Sequence, residues 1–80
     1  MDKELEKYYE ERFSMFSTKG WQDLIEDMEK MKLATNTLDG IKSENDLYFK
    51  KGELSIINWI LGLKQISNLS YEELKNESNV

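Results

Sequence analysis

Eighty residues with no cysteine, histidine or proline and a net charge of −5 make one small domain at most. Without thiol or imidazole there is no disulfide and no ordinary structural zinc site, and the Ser-His-Asp and Cys-His catalytic arrangements are excluded. The acidic balance, 16 Asp and Glu against 11 Lys and Arg, opposes a surface that tracks phosphates, so direct nucleic-acid binding is not expected.

The opening run "MDKELEKYYEERF" is charged from its second residue and lacks an apolar core, so it does not read as a secretory signal. Apolar residues then recur at helical spacing nearly throughout, with no strand-like alternation, and the expected class is all-α. A first helix is predicted at 2–16, where Leu5, Tyr8, Tyr9, Phe13 and Phe16 gather on one face and Asp2 and Glu4 suit the positive end of the dipole. "STKG" punctuates it, with Ser17 or Thr18 as the cap of the next helix.

The second helix is predicted at 19–38. Its apolar face carries Trp21, Leu24, Ile25, Met28, Met31, Thr35 and Leu38, and the opposite face Asp23, Glu26, Asp27, Glu29 and Lys30. Asp39-Gly40 forms a turn pair, after which Ser43 is an N-cap with Asp46 three residues on. The third helix is predicted at 44–67. Either a final short helix follows at 70–77, where Ser70 and Glu73 fit a capping box, or the third helix continues and frays. The expected architecture is a single domain over 1–80: a small bundle of three helices around a helical-hairpin core, with that short C-terminal helix.

Within the third helix, Gly52 interrupts an apolar run. On a wheel, Tyr48, Phe49, Gly52, Ile56, Trp59, Ile60, Leu63 and Ile66 occupy one uncharged arc of about 120° with Gly52 near its middle. A helix-interior glycine costs about 1 kcal/mol relative to alanine, and close approach by a neighbour is the natural compensation. Phe49, Gly52, Ile56, Trp59, Ile60 and Leu63, with Trp21 from the second helix, are therefore expected to pack closely against another helix or an aromatic ring, with either face of the third helix open to be the one kept inside the chain. Leu47, Leu54, Ile57 and Leu61 form a second arc of about 80° and are expected to meet a partner. A chain this small without disulfide or metal favours oligomerisation, so a homo-oligomer is the expected state.

Little chemistry competes with this reading. The paired carboxylates Glu10-Glu11, Glu26-Asp27 and Glu72-Glu73 point about 100° apart on a helix and do not converge. "TNTLDGIKSEND" fails as a calcium loop, because its first, third and last ligand positions fall on Thr35, Thr37 and Asp46. No catalytic residue, cofactor site or metal site is expected, and the most apolar stretch, Leu54 to Leu63, is shorter than the about 20 residues of a bilayer span.

Two stretches, "FSTKGWQDLIEDMEKM" and "DLYFKKGELSIINWILGL", resemble a pattern in small helical proteins of short-tailed bacteriophages. The matching residues are Phe16, Gly20, Trp21, Phe49, Gly52, Glu53 and Leu54. The resemblance implies a phage setting, in the virion or in the host cytoplasm, and a non-enzymatic role in assembly through contact with itself, a phage protein or a host protein. The alternative is a small acidic inhibitor of a host or defence protein, a nucleic-acid mimic with Asp23, Glu26, Asp27 and Glu29 as its contact face.

Overall fold

A computed structural model describes residues 1–78, and these are helical apart from short connections. The order is α1 (Lys3–Phe16), α2 (Lys19–Thr35), α3 (Glu44–Leu61) and α4 (Leu63–Ser78). The all-α class stands, with four helices.

Side-chain caps fix the first three helix starts. The Asp2 carboxylate accepts from the Leu5 backbone N–H at 2.8 Å, and Glu4 and Glu6 follow in the first turn, where negative charge is favoured. Thr18, rather than Ser17, caps α2: its hydroxyl accepts from the Trp21 N–H at 3.1 Å and donates to the Met15 carbonyl at 2.7 Å. At α3 the Ser43 hydroxyl accepts from the Asp46 N–H at 3.2 Å, and the Asp46 carboxylate accepts from the Lys42 N–H at 2.9 Å. Two otherwise orphaned donors are satisfied reciprocally.

Two predicted ends move. α2 stops at Thr35 instead of Leu38. Local bonds compete with the helix there: the Thr37 hydroxyl accepts from the Asp39 N–H at 3.0 Å, and the Thr37 N–H donates to the Thr35 carbonyl at 2.8 Å. The chain then turns through Leu38–Ile41, closed by an Ile41 N–H to Leu38 carbonyl bond of 3.2 Å, with Gly40 at φ 79° where other residues are strained. The third helix ends at Leu61 rather than Ser67, and α4 starts at Leu63 rather than about residue 70. Gly62 is the break; its carbonyl accepts from the Ile66 N–H at 3.0 Å as the new helix begins. The Ser70–Glu73 pattern therefore falls inside α4 and caps nothing.

The chain gathers into two compact units. One joins Met1–Gln22 to Gly62–Val80, and the other is Asp23–Leu61. In the first, an aromatic cluster joins α1 to α4. Tyr71 lies 5.4 Å from Tyr9 and 5.3 Å from Phe13 between ring centroids, and Phe16 lies 4.9 Å from Trp21. Tyr9, Phe16 and Leu63 are buried, as is Ser67, whose hydroxyl meets the Arg12 guanidinium at 3.5 Å. Tyr9 pairs with Tyr71 and Arg12 with Ser67, so α1 and α4 run antiparallel. Offset and edge-on aromatic pairs of this kind add about 0.5–1.5 kcal/mol each beyond their buried area.

Candidate interaction surface

Residues 23–61 hold the surface features from which a function can be argued. One face of α3 turns inward: Ile57 is buried, and Leu47, Leu54, Ile60 and Leu61 are half-buried. Leu47 and Leu54, with Leu38 and Ile41, line a cavity of about 290 Å³ beside the loop that follows α2. A second cavity of about 310 Å³ opens between α2 and α3, lined by Met28, Met31, Glu53, Ile56 and Ile57.

The loop is tied to α3 by one lysine. Lys50 Nζ donates to the Thr37 carbonyl at 2.7 Å and to the Asp39 carbonyl at 2.6 Å. Both carbonyls lie beyond the early end of α2, where helix bonding no longer uses them. Nothing in the sequence singles out Lys50, because the pairing depends on where the loop turns back. Hydrogen bonds to a charged group contribute about 1.5–3 kcal/mol when sheltered, and partial exposure lowers this. Lys50→Met is expected to lower stability by about 2 kcal/mol in urea melts, with faster amide exchange in residues 36–40. Unchanged exchange there would show that the loop holds itself.

The outward face of α3 reverses the sequence expectation. Tyr48 is 62% exposed, Phe49 71%, Ile56 61% and Trp59 53%, and a Cβ added to Gly52 would meet nothing within 4 Å. Within the chain the expected close packing of Phe49, Gly52, Ile56 and Trp59 is therefore absent, while Leu63 is buried and Trp21 and Ile60 are half-buried. The expected partner face, Leu47, Leu54, Ile57 and Leu61, is instead the covered one. The break at Gly62 narrows the outward arc as well: a wheel drawn to Ser67 credits Leu63 and Ile66 to the Gly52 face, whereas both belong to α4.

Tyr48, Phe49, Gly52, Ile56 and Trp59 thus form a continuous uncharged strip on the solvent side of α3. Contiguous apolar exposure, unlike scattered single residues, marks a contact site. On α2 the acidic residues Asp23, Glu26, Asp27 and Glu29 are also exposed. Among the described residues no group of three carboxylates gathers to hold a metal, and no helix is long and apolar enough to cross a membrane. Searches against protein-family models, curated proteins and solved structures find no match to this chain.

Proposed function

We infer that this chain is a non-enzymatic protein-contact protein, acting through the outer face of α3. The observation that carries the reading is the strip itself: four large apolar side chains, each more than half exposed, around a bare glycine and free of charge. Fully burying such a side chain contributes roughly 1.5–3 kcal/mol, so an exposed row of four is a strong drive to association. The setting we propose is a bacteriophage, in the virion or the host cytoplasm, on the strength of the Phe16, Gly20, Trp21 and Phe49, Gly52, Glu53, Leu54 pattern. Assembly is the role that suits a small helical chain of this kind.

The acidic face of α2 supports a second reading, inhibition of a basic host or defence protein, because its four carboxylates share one exposed side. Affinity capture from infected cells separates the two. Phe49→Asp is expected to abolish capture of the partner, a second copy included, while reversing Asp23, Glu26, Asp27 and Glu29 to lysine leaves it intact. The opposite pattern would sink the α3 reading and favour the inhibitor.

A further inference from the structure

The strip on α3 has a hole at its centre, and the two features together select an occupant. Tyr48, Gly52 and Ile56 lie on one i, i+4 row, the kind of ridge that packs into the groove of a neighbouring helix. At Gly52 the row has no side chain, and the space a Cβ would fill is open to 4 Å. A helix crossing there can approach backbone to backbone, nearer than the usual 8–10 Å between axes. We propose that the crossing helix is α3 of a second copy, packed antiparallel about a two-fold axis through Gly52. The proposal rests on the reading of this face as a contact surface and names its partner.

Charge, shape and area each favour a copy of the same chain. The strip's own residues are uncharged, and of the charges beside it Lys51 lies 5.8 Å over the Tyr48 ring, where the two-fold sets it level with the copy's Glu53, so two chains of net charge −5 meet there with opposite rather than like charges apposed. A two-fold axis at Gly52 brings Phe49 beside the copy's Ile56 on one edge, Tyr48 beside its Ser55 on the other, and Trp59 level with its Asn45 near the middle. Each bulky ring meets a smaller side chain, the self-complementarity that an isologous interface needs. On a scale of 150–250 Å² per aromatic side chain, the exposed parts of Tyr48, Phe49, Ile56 and Trp59 amount to roughly 500 Å² per copy. The pair then buries about 1,000 Å², which Asn45 and Ser55 bring towards the 1,200 Å² at the lower edge of stable interfaces. The dimer is accordingly weak and concentration-dependent.

Sedimentation equilibrium of the full chain from micromolar to millimolar concentration tests this. The wild type is expected to approach twice its 9.5 kDa mass at the upper end. Ile56→Asp should stay monomeric with helix content unchanged. Gly52→Ala is the sharper variant, because alanine suits a helix interior better than glycine and has room in the isolated chain. It should melt at a higher temperature as a monomer yet dimerise about tenfold or more weakly, a loss that corresponds to 1.4 kcal/mol or more of association energy. A wild type that stays monomeric throughout, or a Gly52→Ala dimer as tight as the wild type, overturns the proposal. If the wild type is monomeric but Phe49→Asp still loses a captured protein, self-pairing fails and the contact reading survives; if neither effect appears, both fail.

Discussion

Phe16→Ala should cost about 3–5 kcal/mol, the range for truncating a buried aromatic side chain. Phe16 is 5% exposed at the end of α1, with Trp21 at 4.9 Å and Phe13 at 6.3 Å between ring centroids. It therefore anchors both the turn into α2 and the aromatic cluster that joins α1 to α4. Small domains stand near the low end of a 5–15 kcal/mol stability range, so a loss of that size removes most of what holds this unit folded. Thermal melts followed by far-ultraviolet circular dichroism should show a fall of about 12 °C or more. Phe16→Leu keeps most of the volume and should lose about 1.5 kcal/mol or less. Equal melting of all three proteins would mean that the cluster does not anchor the unit.

Ile57→Lys should unfold the segment around α3, whereas Ile56→Lys, one residue earlier, should not. Ile57 is 5% exposed and Ile56 is 61% exposed. An ammonium at position 57 forfeits the roughly 1.5–3 kcal/mol of apolar burial and must also be desolvated without a partner, for a total above about 4 kcal/mol. At position 56 the ammonium stands in water and the change stays within about 0.5 kcal/mol. Urea unfolding at a concentration low enough to keep the chain monomeric compares the two. Similar midpoints would contradict the assignment of the inward and outward faces.

That neighbouring pair also shows where the sequence was legible. Both residues are isoleucine, and the wheel places them on opposite arcs, yet periodicity cannot say which of two apolar arcs faces the chain. The structure buries the narrower arc. Caps were readable because they are local: Asp2, Ser43 with Asp46, and the Gly40 turn each act within four residues. The break at Gly62 was less so, since a negative-φ glycine inside a helical pattern costs only about 1 kcal/mol and is often tolerated. A signal for α4 was nonetheless present, because Leu63, Ser67 and Tyr71 repeat every fourth residue and are the positions that meet α1 or are buried. Lys50 stayed hidden because its two acceptors are backbone atoms that any residue would supply.

The pairing of Tyr9 with Tyr71 sets an order for biosynthesis. Residues 23–61 are contiguous and can gather as soon as they leave the ribosome, while α1, made before them, has to wait for α4. During that interval the rings of Tyr9 and Phe13 lack their α4 partner, Tyr71. α1, although made before the segment it waits for, is thus among the last to be secured, and a chain that stops short of Tyr71 would present a loose aromatic helix to the cell's quality-control machinery.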